Sequence, residues 1–148
     1  MKASVFYRVA AVLLLLFAVG HTLGFRKADP KWGVDAVLVS MQSTRFDLQG
    51  ASRTYWDLFE GAGFSVGVFF LFSAILAWQL GGLPPATMAK TRGIGWVFTL
   101  CYVAITFVSW RFLFIVPLVF SIVVTLCLAA AAWLSGKQGS SASSAAVG

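Results

Sequence analysis

The sequence predicts an all-α protein: a four-helix transmembrane bundle with one 30-residue extramembrane loop that contains a short amphipathic helix. Three observations lead there. Of the 148 residues, 59% are hydrophobic and 11% charged, whereas a soluble domain carries about 25% charge because it has to face water. Mean hydropathy is +0.88, so an aqueous surface made from this chain would expose large apolar patches. The apolar residues also fall in blocks of bilayer length. Spans are expected at about 5–25, 56–80, 94–110 and 112–134, forming one domain over 1–134, with a disordered tail at 135–148.

The first span is Val5–Phe25, interrupted only by Arg8 and His21. Its 21 residues reach about 31 Å at 1.5 Å each, enough to cross. A cleaved signal peptide competes, since Lys2 and Arg8 give a basic start and Ala18-Val19-Gly20 resembles a cleavage site. Apolar character continues through Leu23 and Phe25, which favours a retained helix.

Residues 26–55 form the extramembrane segment. Asp29-Pro30 and Gly33 mark a turn. Val34, Val37, Leu38 and Met41 then recur at helical spacing, which predicts the short amphipathic helix, lying on the bilayer surface or the bundle mouth. Gln49-Gly50 closes it. Thr54-Tyr55-Trp56-Asp57 fits a capping box that opens the second span, and Gly81-Gly82-Leu83-Pro84-Pro85 stops that span. Gly63 and Gly67 make a small-xxx-small pair that lets another helix come close.

Ile94–Leu134 holds a single charge, Arg111, in 41 residues. At about 62 Å it is twice the hydrocarbon thickness and has to fold back. The turn is placed at Ser109-Trp110-Arg111, with Pro117 as the alternative. Ser135–Gly148 is polar and small enough for a disordered tail.

Ionisable residues at membrane depth are costly and usually face a bundle interior or a wet cavity. Alternating spans would bring His21, Asp57, Glu60 and Arg111 to one membrane face, together with Trp56. A His21–Glu60 pair with Arg111 opposite is the sharpest catalytic reading, because imidazole and a partly desolvated carboxylate can exchange a proton near neutral pH. The bland readings are a helix cap for Asp57, a headgroup-level carboxylate for Glu60, an interhelical hydrogen bond for His21 and an interfacial anchor for Arg111. Thr99, Tyr102, Thr106 and Ser109 form a polar stripe on the third span, and Ser121 and Thr125 one on the fourth. Interhelical hydrogen bonds or a polar binding pocket would explain either stripe. Cys101 and Cys127 are expected as small buried thiols, a disulfide being the alternative.

Much is excluded. The chain has one His and two Cys without a Cys-x-x-Cys pair, which removes the ligands of a dihaem cytochrome or metal hydrolase and the thiols of a dithiol oxidoreductase. No Gly-rich phosphate loop is present, and no carboxylate lies inside the first span, as a small multidrug antiporter would need. No cofactor, metal or nucleic acid is expected. The net charge of +6 comes from basic residues flanking the apolar runs, where they anchor helix ends in headgroups.

Gly20-His21-Thr22-Leu23-Gly24, followed by Tyr55-Trp56-Asp57-Leu58-Phe59 and Gly61-Ala62-Gly63-Phe64, resembles a group of small bacterial four-span membrane proteins that carries no assigned activity. The resemblance covers roughly residues 5–134, and a more distant likeness to DoxX-type four-helix proteins rests on topology alone. It implies a retained first helix. The expected location is a bacterial inner membrane. Lys2, Arg8, Lys90, Arg92 and Lys137 would share one side, with Arg26, Lys27, Lys31, Arg45, Arg53 and Arg111 on the other. The acids all lie between residues 29 and 60, so that loop is nearly neutral and easier to translocate, which favours both termini in the cytoplasm.

The functional expectation is an accessory membrane protein that holds a lipophilic molecule or a partner subunit, which includes a second copy of the chain. Membrane lipid is its solvent. The alternatives are an isomerase-like acid–base enzyme on a lipophilic substrate, and a small proton-coupled transporter.

Overall fold

The computed structural model describes residues 2–145, with side chains described through Lys137. The fold is all-α with one small hairpin. Its elements, in chain order, are α1 (Ala3–Gly24), a 3-10 turn (Pro30–Trp32), α2 (Asp35–Ser43), β1 (Arg45–Leu48), β2 (Ala51–Thr54), α3 (Tyr55–Gly82), α4 (Pro85–Lys90), α5 (Arg92–Phe112) and α6 (Ile115–Ala145). Among the described residues, four helices are long and apolar enough to cross a membrane: Ala3–Gly24, Tyr55–Gly82, Arg92–Phe112 and Ile115–Lys137. Each agrees with an expected span to within a few residues.

The helix ends follow from local chemistry. Thr54 and Asp57 form the expected capping box: the Thr54 amide donates to Asp57 Oδ2 at 2.8 Å, and the Asp57 amide donates to Thr54 Oγ1 at 3.1 Å. Two of the orphan amides at the start of α3 are thereby satisfied. The third and fourth spans are separated at Leu113-Phe114, between the end of α5 and the start of α6. Ser109, Trp110 and Arg111, the expected turn, form instead the last turn of α5. The amide of Leu113 still reaches back to the Ser109 carbonyl at 3.0 Å. Pro117 is the third residue of α6, where its missing N–H removes a group that has no intrahelical partner in any case.

The segment between α1 and α3 holds one element that hydrophobic spacing did not reveal. Arg45–Leu48 and Ala51–Thr54 pair antiparallel, Arg45 against Thr54 and Leu48 against Ala51. Gln49 and Gly50 carry φ of 53° and 86°, the positive-φ pair that a two-residue hairpin needs. The expected short helix is α2, and Val34, Leu38 and Met41 on one face are half-covered while Val37 is exposed.

Contacts divide the chain into two compact units: residues 18–70, and residues 1–17 with 71–148. The second contains the main core, where Tyr7, Leu14, Tyr102, Val124 and Leu128 are at most 1% exposed. Phe17 stacks on Phe120 at 4.7 Å. Small residues permit these approaches: a Cβ on Gly81 would meet the Ser4 carbonyl oxygen and Tyr7 Cβ at 3.1 Å. Ser135, where the tail was expected to begin, is fully buried within α6, and its hydroxyl donates to the Ala131 carbonyl at 2.7 Å. The side chains of residues 138–148 lie outside the described residues.

Candidate functional site

Within residues 18–70, the end of α1 lies on the first half of α3, and the expected glycine pair is the reason. A Cβ on Gly63 would run into the Phe25 ring, and one on Gly67 would come within 2.8 Å of Thr22 Oγ1. With only hydrogens on that face, α3 exposes its backbone to α1. His21 uses this: its Nε2 is 2.9 Å from the Gly63 carbonyl oxygen. A carbonyl only accepts, so Nε2 is the protonated nitrogen in this contact. The half-buried imidazole stacks on Phe25, one turn along, at 5.2 Å and 13°, and meets the edge of Phe70 at 6.0 Å.

Glu60 is not its partner. Glu60 Oε1 accepts from Arg26 Nη1 at 3.4 Å, with the two side chains 30% and 49% exposed. Arg26 is steered there by aromatics, its guanidinium carbon lying 5.4 Å from the Phe64 ring centroid and 5.8 Å from that of Phe25. No hydrogen bond or ion pair joins His21 to Glu60. The expected pair is therefore replaced by two separate contacts, His21 to backbone and Glu60 to Arg26, because close packing at glycine brings a carbonyl within reach of the imidazole.

Asp57 is occupied by the capping box described above. Trp56, half-buried, packs against Phe59 at 5.4 Å. Phe25 ties the cluster together, meeting Phe59 at 5.7 Å and the edge of Phe64 at 5.3 Å. The result is an aromatic cluster threaded by one imidazole and one exposed ion pair, with no assembled acid–base couple among the described residues of this unit.

Arg111 belongs to the other unit. It is exposed in the last turn of α5, with its guanidinium 5.1 Å from the Phe112 ring centroid, a position the helix dipole favours for a cation. The polar stripe on α5 is interior. Thr99, Tyr102 and Ser109 are all buried. Thr106 Oγ1 bonds the Tyr102 carbonyl at 2.8 Å and lies 3.2 Å from Thr125 Oγ1 on α6. Thr99 and Thr125 bond back to the carbonyls of Gly95 and Ser121. The Thr106–Thr125 contact thus joins two helices, while Thr99 returns to its own backbone. The cysteines are free; Cys101 is exposed and Cys127 half-buried, so the expectation of two buried thiols does not hold for Cys101.

Three buried hydroxyls went unrecognised in the sequence. Tyr7 inserts its phenol against Gly95, where a Cβ would overlap it, and the Ser135 hydroxyl approaches the same phenol. Ser73, fully buried on α3, lies near the Tyr102 hydroxyl. A polar residue inside an otherwise apolar run was the available signal, and Tyr7 and Ser73 both carried it. No family model, curated protein or solved structure matches this chain.

Proposed function

We propose that the chain is an integral membrane protein that holds a lipophilic molecule or a partner subunit. Lipid as solvent is supported by the outward faces of the long helices, where Leu16, Val68, Phe72, Leu100, Phe107 and Leu126 are each 60% exposed or more. The observation that carries the accessory reading is the commitment of His21 to the Gly63 carbonyl while Glu60 pairs with Arg26. Both alternatives, the isomerase-like enzyme and the proton-coupled transporter, draw on those two side chains as a couple, and no direct hydrogen bond or ion pair joins them.

The glycine pair, which lets another helix come close, is taken by α1, which leaves the aromatic outer flanks of the helices for a partner. A bacterial inner-membrane location with both ends cytoplasmic accords with residues 26–60, where five basic and five acidic side chains balance.

Native mass spectrometry of the protein, released from native-membrane nanodiscs, tests the reading. A lipophilic adduct or a second polypeptide at fixed stoichiometry is the expected result. The bare chain, with only exchangeable bulk lipid, would sink the proposal.

A further inference from the structure

The turn between α5 and α6 has the wrong composition for water. Its two non-helical residues are Leu113 and Phe114, flanked by Phe112 on one side and Ile115 and Val116 on the other. These five side chains, with Trp110, are each between 55% and 70% exposed. In an aqueous loop they would form a contiguous apolar patch, the kind of surface that soluble faces avoid. Arg111 is the single charge, and it lies against the Phe112 ring rather than reaching for an acid.

The backbone is equally wrong for hydrocarbon. Where α5 ends, its last carbonyls have no intrahelical donor, and where α6 begins, its first amides have no intrahelical acceptor. Pro117 removes one of those amides, and the Leu113 amide returns to Ser109. The remainder need polar partners, because a lipid-exposed chain break is not tolerated inside the acyl region. Side chains exclude water and backbone excludes the acyl core, so one level of the bilayer suits both.

We propose that the α5–α6 turn is a lipid-interaction surface set at the headgroup–acyl boundary. The side chains of Phe112, Leu113, Phe114, Ile115 and Val116 lie among the upper acyl chains. The helix-end amides and Arg111 take phosphate and ester oxygens of the lipid. Trp110 is suited to the same level, since an indole joins an apolar ring to one N–H donor. The proposal rests on the reading of the chain as membrane-spanning and adds a depth for this turn.

Spin-label accessibility tests it on the full chain in vesicles of phosphatidylcholine and phosphatidylglycerol, with Cys101→Ala and Cys127→Ala as background. Labels go on Leu113→Cys and, as an independent position, Ile115→Cys. Ser52→Cys on the hairpin serves as the aqueous reference and Leu100→Cys on α5 as the mid-span reference. At both turn positions the ratio of oxygen to nickel-chelate accessibility should be severalfold above that at Ser52 and below that at Leu100. A ratio equal to that at Ser52 places the turn in water and overturns the proposal. Exclusion of both reagents means that protein, a second copy or another subunit, covers the turn, and overturns it equally. If Leu100 itself is open to the nickel chelate, it is the membrane-spanning reading that fails.

Discussion

His21 Nε2 donates to the backbone carbonyl of Gly63 at 2.9 Å, a side chain of α1 bonded to the main chain of α3. The contact exists because Gly63 and Gly67 carry no side chain: Phe25 and Thr22 fill the volumes that their Cβ atoms would take. Close approach and hydrogen bond thus depend on each other, which makes the joint sensitive to changes of a single methyl group.

Gly63→Ala should therefore destabilise the protein by about 1–3 kcal/mol, the range for overpacking a well-filled contact. Gly61 lies half a turn away, and a methyl group there would have nothing within 4 Å. Gly61→Ala is expected to be neutral or to stabilise by up to about 1 kcal/mol through the lower backbone entropy of Ala. Thermal unfolding in detergent, followed by circular dichroism, compares the two. Equal effects from both substitutions would refute the account of the joint.

His21→Ala removes the interhelical bond and the stacking on Phe25. Its cost should fall near the range of roughly 0.6–1.7 kcal/mol measured for hydrogen bonds between membrane helices. His21→Gln retains an N–H donor and cannot act as an imidazole acid or base, so it should recover part of the loss. Recovery of stability in the Gln variant speaks for a helix-joining role. A Gln variant no better than Ala would show that the donor to Gly63 contributes nothing.

The four long helices and the capping box were legible because their signals are local: block hydrophobicity, and a Thr with an Asp three residues on. The hairpin had a local signal too, in Phe46 and Leu48 alternating with polar residues ahead of Gln49-Gly50. It was obscured because the preceding apolar residues repeat at helical spacing and drew the whole segment into one helix. The partner of His21 was not legible, since a backbone carbonyl has no residue type to search for. The pairing of His21 with Glu60 followed from shared membrane depth, and depth alone does not say which way a side chain turns. Tyr7, Gly95 and Ser135 meet across most of the chain length, so their contact left no trace in local spacing.

Thr54 and Asp57 satisfy each other's amides, so their contributions should not add. Thr54→Val or Asp57→Ala alone should cost about 1 kcal/mol, the usual loss for an N-cap residue. The double variant should cost clearly less than the sum, with the shortfall read from a double-mutant cycle in thermal unfolding. Strict additivity would mean that the two hydrogen bonds, at 2.8 and 3.1 Å, act independently.

The Tyr7 phenol occupies the space where a Gly95 side chain would stand. Gly95→Ala should destabilise the core by about 1–3 kcal/mol, as overpacking does when neighbours cannot give way. Ala132 Cβ, 3.1 Å from the same position, closes the other side. Tyr7→Phe removes the hydroxyl oxygen that meets the new methyl first. In that background Gly95→Ala should cost less, with a coupling of at least about 0.5 kcal/mol between the sites. Tyr7→Phe alone also strips the Ser135 hydroxyl of the phenol it approaches, so it should destabilise slightly by itself. If the two substitutions add without coupling, Gly95 is not the residue that admits the phenol, and the packing of α1 against α5 has another basis.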